Sequence, residues 1–109
     1  MPNPILAVDE FSFPDEVLAS SIPVLVEFSA TWCGPCRALE PVLERLASGA
    51  NGRFKVAKID MDEAPRLVAK YRVRGAPTVM LFVNGEERGR HLGLTRQETL
   101  AALVDRAAA

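Results

Sequence analysis

Cysteine, histidine and aromatic residues are scarce in this chain: its 109 residues include two cysteines, one histidine and 6% aromatic residues. A small secreted protein held together by disulfides would carry more cysteines, spread along its length. A structural zinc ion takes four ligands, usually cysteines and histidines, and one copy of this chain offers too few of them. The scarcity excludes a disulfide scaffold and leaves Cys33 and Cys36 as a redox pair or part of a metal site.

The chain also lacks an excess of charge and a long apolar run. Thirteen basic residues against fourteen acidic ones give a net charge of −1, so the basic footprint of a nucleic-acid-binding protein is missing. The longest apolar run, 79–83, is far shorter than the ~20 residues that span a bilayer. The first ten residues have neither the basic start nor the apolar stretch of a signal peptide, so we expect a cytoplasmic protein.

What is present predicts one α/β domain over residues 1–109, because this length and 49% hydrophobic residues suit a single core. Apolar, valine-rich segments predict strands, and spacings of three and four between apolar residues predict helices. The predicted strands are 5–8, 24–28, 54–59, 78–83 and 86–92. The predicted helices begin near residues 14, 33, 62 and 95. They give a mixed five-stranded sheet flanked by four helices.

The cysteine pair is expected to begin the second helix, directly after a buried strand. Residues three apart at a helix start lie on one face, close enough to form a disulfide with slight adjustment. Cys33 would lie at the positive end of the helix dipole, which favours its thiolate form. Cys36 begins the buried stripe of the helix. We therefore expect Cys33 to be the exposed nucleophile and Cys36 the sheltered resolving thiol.

The segment Trp32-Cys33-Gly34-Pro35-Cys36 resembles the active site of the thioredoxin family. Further motifs occur in the family's order, so the resemblance covers nearly the whole chain. They are an acid six residues before the first cysteine, a proline five after the second, a strand lysine, Gly75-Ala76-Pro77-Thr78, an Asn-Gly hairpin and a late glycine. The resemblance implies a thioredoxin fold and a dithiol–disulfide oxidoreductase that reduces client proteins.

The resemblance also assigns roles to single residues. It makes Cys33 the attacking thiol, Cys36 the resolving thiol and Pro77 a cis-proline facing the disulfide. It places substrate contacts on Gly34, Pro35 and the backbone of Ala76, with an apolar docking rim of Trp32, Met61, Ala76, Gly93 and Leu94. It implies no bound cofactor, and a monomer recharged by a flavin-containing thioredoxin reductase that draws on NADPH.

Glu27 interrupts an otherwise apolar strand. Burying a lone carboxylate is costly, so on a central strand it should be protonated or paired, and Lys58 on the neighbouring strand is the expected partner. Proteins of the family usually have an aspartate here, acting as acid and base for the buried cysteine. We expect Glu27 to have a raised pKa and to deprotonate Cys36. Ser29 also departs from the family, since many relatives have an aromatic residue there, as does Arg37, where lysine is common.

Three alternatives stay open at this point. A disulfide oxidant or isomerase is disfavoured by Pro35, because a histidine there would make the disulfide more oxidising. A binding module could use the apolar rim without turnover. Two chains could share a metal through their cysteine pairs. His91, the single histidine, is expected to be a solvated strand residue without a catalytic role.

Overall fold

The computed structural model describes residues 3–108 and contains a five-stranded mixed sheet in the order β1-β3-β2-β4-β5. Met1, Pro2 and Ala109, the ends of the predicted domain, lie outside the described residues. The strands are β1 (Leu6–Ala7), β2 (Val24–Ser29), β3 (Lys55–Asp60), β4 (Thr78–Val83) and β5 (Glu86–Leu92). β1, β3 and β2 run parallel, and β4 is antiparallel to both β2 and β5. This arrangement confirms the predicted fold class.

The sheet separates two layers of helix. The α-helices are α1 (Gly34–Ser48), α2 (Pro65–Lys70) and α3 (Gln97–Ala108). A short π-helix spans Pro14–Leu18, and a 3₁₀ turn spans Met61–Glu63. α1 and α3 pack over one face through Leu39, Leu43 and Leu100, while the π-helix and α2 pack over the other. Among residues 3–108, no helix has the length and apolar character needed to cross a membrane.

The central strand β2 is buried along its whole length, as its apolar sequence predicts. Its side chains alternate between the two layers. Val24, Val26 and Phe28 join the core under the π-helix and α2, and Leu25 joins the core under α1. By the same alternation Glu27 lies on the α1 side, in the middle of the sheet.

α1 begins with the cysteine pair, as predicted, and continues through Pro41 to Ser48. Its buried residues, Cys36, Leu39, Leu43 and Leu46, follow the helical spacing read from the sequence. Gly34 and Pro35 occupy the first helical positions, where proline is tolerated because its missing N–H would have no partner. The helix thus holds one end of the site rigidly on the sheet.

The predicted third helix is divided in the structure. The chain from 62 to 71 forms the end of a 3₁₀ turn and then α2, which begins at Pro65. Ala64 between them has a non-helical backbone, with φ −132° and ψ 53°. A residue before proline is pushed out of the helical region, which explains the break.

Candidate active site

The site is built around a disulfide at the start of α1. Cys33 and Cys36 are bridged, with their Cα atoms 5.3 Å apart. Cys33 is the N-cap residue of α1, and its Sγ accepts a hydrogen bond of 3.1 Å from the backbone N–H of Cys36. The spacing in the sequence therefore produces the predicted bridge, at the end of the helix where backbone N–H groups are free to stabilise negative charge.

The expected difference in exposure between the two cysteines is wrong for this bridged form. Cys33 is 3% exposed and Cys36 is 2% exposed. Both pack in a small cluster with Ala30 and Ala76. The segment that contains Ala76 therefore shields Cys33 from solvent. Local helix geometry does not reveal this contact. The two residues differ instead in position, since Cys33 caps the helix and Cys36 lies inside its first turn.

The segment before β4 lies against the disulfide. The Ala76–Pro77 peptide bond is cis, as the resemblance implied. The Thr78 hydroxyl donates to the Gly75 carbonyl at 2.6 Å, and the Gly93 N–H donates to the Pro77 carbonyl at 2.8 Å. These bonds fix the Ala76 backbone beside the cysteines and bring the end of β5 to the same place.

The predicted docking residues are only partly exposed. Trp32 and Leu94 are 66% and 54% exposed, and Gly34 and Pro35 are exposed as well. Ala76 and Gly93 are half-buried. Met61 is half-buried and packs against the core under α2, so it offers less apolar surface than expected.

Two residues near this rim were missed. Leu92 is 62% exposed and pairs with Thr78, which places it beside the cis-proline segment. The sequence could have indicated Leu92, because it is an apolar residue directly before Gly93 and Leu94. Asp62 accepts a hydrogen bond of 2.9 Å from the Trp32 indole N–H. No sequence signal joins these two residues, because thirty positions separate them.

Glu27 is fully buried at the centre of the sheet. Its exposure is 0%, and among residues 3–108 neither of its carboxylate oxygens has a hydrogen-bond partner. Burial raises the pKa of Glu27 from 4.5 to about 7; nearby Lys58 lowers it, and nearby Glu40 raises it. The expectation of a raised pKa is thus supported. A carboxyl group with a pKa near 7 can give or take a proton at neutral pH.

The predicted pairing of Glu27 with Lys58 is wrong. The two residues are register partners on adjacent strands, but the Lys58 Nζ lies 3.1 Å from Glu40 Oε2, on α1. The Lys58 side chain is 40% exposed. A lysine extends its ammonium group toward water, and Glu40 meets it there, whereas pairing with Glu27 would bury both charges.

A cavity of about 400 Å³ connects this ion pair with the disulfide. Its walls are formed by Ser29, Ala30, Thr31, Cys36, Arg37, Glu40, Lys58 and Asp60. A cavity of this size, whose mostly apolar wall includes four charged side chains, is large enough to admit water. It therefore joins the inner cysteine to charged groups that reach the surface.

Comparisons with known proteins agree with this geometry. The family model described as Thioredoxin matches residues 4–106. The chain is 45% identical to the thioredoxin of Rickettsia bellii (strain RML369-C) over 98 residues, which cover 90% of this chain and 93% of that protein. It is 40% identical to the thioredoxin of Rickettsia felis (strain ATCC VR-1525 / URRWXCal2) over 91% of this chain and 94% of that protein. It is also 40% identical to chloroplastic thioredoxin M5 of Oryza sativa subsp. japonica, over 94% of this chain and 59% of that protein.

Proposed function

The chain belongs to the thioredoxin family, and on that premise we propose how its residues divide the work of reducing disulfides. The protein is a dithiol–disulfide oxidoreductase that acts on client proteins through Cys33 and Cys36. The observation that carries the assignment of roles is the position of the Cys33–Cys36 bridge, at the start of α1 and packed against Ala76.

In the first step, the thiolate of reduced Cys33 attacks one sulfur of the client disulfide. A bond forms between Cys33 and that sulfur, the client S–S bond breaks, and the other client sulfur leaves as a thiolate that takes up a proton. The role of nucleophile falls to Cys33 because it caps α1, where the helix dipole stabilises negative charge. The product of this step is a mixed disulfide.

In the second step, Glu27 accepts the proton of Cys36, and the Cys36 thiolate attacks Cys33. The mixed disulfide breaks, the second client sulfur leaves as a thiolate and is protonated, and the Cys33–Cys36 bridge forms. Two thiols of the protein are oxidised and one client disulfide is reduced to two thiols. Glu27 is suited to this step because its pKa of about 7 lets it accept a proton near neutral pH.

Client binding uses backbone pairing and a small apolar rim. We assign the pairing to Ala76, held by the neighbouring cis-Pro77, and the apolar contacts to Trp32, Leu94 and Gly93. Exposure of Trp32 and Leu94 supports this assignment. Exposed Gly34 and Pro35 let a client approach the disulfide closely, and Met61 has a smaller part because it is half-buried. Lys58 contributes through its charge rather than by contact with Glu27.

The remaining parts of the proposal concern the protein's surroundings. The disulfide itself carries the electrons, without a bound cofactor, and a flavin-dependent thioredoxin reductase using NADPH restores the dithiol. The protein acts in the cytoplasm as a monomer and a single domain, without nucleic-acid or membrane partners. The relatives named Thioredoxin support a reductase and disulfide-containing clients as partners in general.

The division of roles is tested with a Cys36→Ser variant and a Cys33→Ser control. Incubated with a disulfide-containing client, Cys36→Ser should accumulate the mixed disulfide, because its resolving thiol is gone. Cys33→Ser should accumulate far less. The reverse pattern would assign the nucleophile to Cys36 and overturn the proposal.

The role of Glu27 is tested with Glu27→Gln. The pH dependence of client reduction in the native protein should contain a step near pH 7 that the variant loses, since an amide cannot take up the proton. If the two pH profiles coincide, Glu27 is not the base.

A further inference from the structure

Two carboxyl groups lie near one ammonium group beside the active site, and only one of them binds it. Lys58 on β3 is the register partner of Glu27 on β2, and Glu40 reaches the same lysine from α1. The Lys58 Nζ lies 3.1 Å from Glu40 Oε2, whereas neither oxygen of Glu27 has a hydrogen-bond partner among the described residues. The more exposed acid therefore holds the cation, and the fully buried acid is left without one.

This choice of partner decides the charge that Glu27 experiences. A lysine ammonium paired directly with Glu27 would favour its carboxylate form and remove its ability to hold a proton at neutral pH. With Glu40 bound to it, the ammonium group still lowers the pKa of Glu27, but Glu40 adds a negative charge that opposes part of this lowering. The Lys58 and Glu40 side chains are 40% and 27% exposed, so the ammonium group stays in contact with water while Glu40 holds it.

We propose that Glu40 is a positioning residue for disulfide exchange, which acts by holding the Lys58 ammonium group in the cavity wall and away from Glu27. Glu40 touches neither client nor sulfur in this role. It acts through Lys58 on the proton that Glu27 carries. The proposal rests on the proposed function of Glu27 as the base for Cys36.

Few charged groups lie close enough to Glu27 to shift its pKa. β3 contributes Lys58, α1 contributes Glu40, and β4 places uncharged Val79 opposite Glu27. The cavity wall adds Arg37 and Asp60. Among these groups Lys58 and Glu40 are the charges that move the pKa of Glu27, downward and upward respectively, after burial has raised it.

The consequence for the second step of the reaction is specific. The Cys36 proton passes to Glu27, the Cys36–Cys33 bond forms, and the bond between Cys33 and the client breaks. If Lys58 moved onto Glu27, the carboxylate would be stabilised and would become a weaker base for Cys36. Glu40 therefore maintains the basicity of Glu27 without touching the reacting sulfur atoms.

The test measures the ionisation of Glu27 directly, by ¹³C NMR of its carboxyl carbon in the oxidised protein. Glu40→Gln should lower the pKa of Glu27 by about 1 unit, since an opposite charge close to a carboxyl group lowers its pKa by about 1–3 units. Glu40→Asp keeps the negative charge and should restore much of the native value. Glu44→Gln, one turn later on α1 at an exposed position, is the matched control and should leave the value unchanged. An unchanged or higher pKa in Glu40→Gln would overturn the proposal.

A double variant separates positioning from simple repulsion between Glu40 and Glu27. In a Lys58→Gln background, Glu40→Gln should shift the pKa of Glu27 by less than half as much as in the native background. An equal shift in the two backgrounds would mean that Glu40 acts directly and not through Lys58, and would refute the proposal. This readout does not use activity, so it remains decisive even if Glu27→Gln shows that Glu27 is not the base.

Discussion

Replacing Glu27 by glutamine is expected to make the protein more stable at neutral and alkaline pH. Glu27 is fully buried, and its pKa rises from 4.5 to about 7 on folding, chiefly because burial disfavours the charged form. At about 1.4 kcal/mol per pKa unit, ionising Glu27 costs roughly 3 kcal/mol more in the folded protein than in the unfolded chain. A glutamine side chain has almost the shape of the protonated acid and carries no charge at any of these pH values.

The direction of the pH dependence follows from which state holds the proton. Below the unfolded pKa of 4.5, Glu27 is neutral in both states and the native protein has its full stability. As the pH rises toward 7, the unfolded chain releases the proton while the folded protein keeps it, so the free energy of unfolding falls. Above the folded pKa the loss is complete. The glutamine variant does not lose stability through this group.

The assay is urea unfolding of both proteins in the oxidised form at pH 4, 6 and 8. The stability difference between variant and native protein should grow by roughly 3 kcal/mol from pH 4 to pH 8, which corresponds to a rise in Tm of about 10 °C at pH 8. Comparing the two proteins cancels the titration of all other groups. Exposed Glu44→Gln is the control and should show no such growth. Growth below about 1 kcal/mol, or a change of opposite sign, would refute the reasoning.

Three further substitutions test α1, the β4–β5 turn and the rim of the active site. Leu39→Ala should lower the free energy of unfolding by about 3 kcal/mol, since Leu39 is fully buried on the face of α1 that packs on the sheet; a loss below about 1 kcal/mol in urea unfolding would contradict that packing. Gly85→Ala should cost about 1–3 kcal/mol by the same measurement, because Gly85 has a φ of +79° and a Cβ there would lie 3.0 Å from the Leu18 carbonyl oxygen. A neutral result would mean that the turn rearranges. Trp32→Phe removes the donor to Asp62 at an exposed position and should cost less than about 1.5 kcal/mol in thermal unfolding; a larger loss would show that the indole supports the fold.

The framework of the fold could be predicted because local patterns agree with the tertiary structure. The apolar segment at 24–28 became a strand buried on both faces, and the spacing of Leu39, Leu43 and Leu46 became the buried face of α1. Asn84 and Gly85 form the Asn-Gly hairpin named from the sequence, and both have positive φ, as a type I′ turn requires. Each of these signals depends on neighbours within a few positions.

Features that depend on distant residues escaped prediction. The burial of Cys33 depends on Ala76, forty-three positions later, and the partner of Trp32 is thirty positions away. Whether Lys58 pairs with Glu27 or with Glu40 depends on the direction in which its flexible side chain extends. Strand register alone does not determine that direction. The sequence therefore pointed to Glu27 and Lys58, but not to Glu40 or to its pairing with Lys58.

The Lys58–Glu40 pair explains why Glu27 can remain in the core although burying a carboxylate lowers stability. Had Lys58 reached Glu27, the buried acid would be neutralised, but a long cation would also be drawn out of water, at a cost that a buried pair often fails to recover. With Lys58 held by Glu40 at the surface, neither of those two charges is buried. The penalty of burial falls on Glu27 alone, and it is absent only below about pH 4.5, where the group is protonated in both the folded and the unfolded protein. The burial that lowers stability at high pH also sets the pKa of Glu27 near 7. A substitution that removes the loss of stability must therefore also remove the group with the raised pKa.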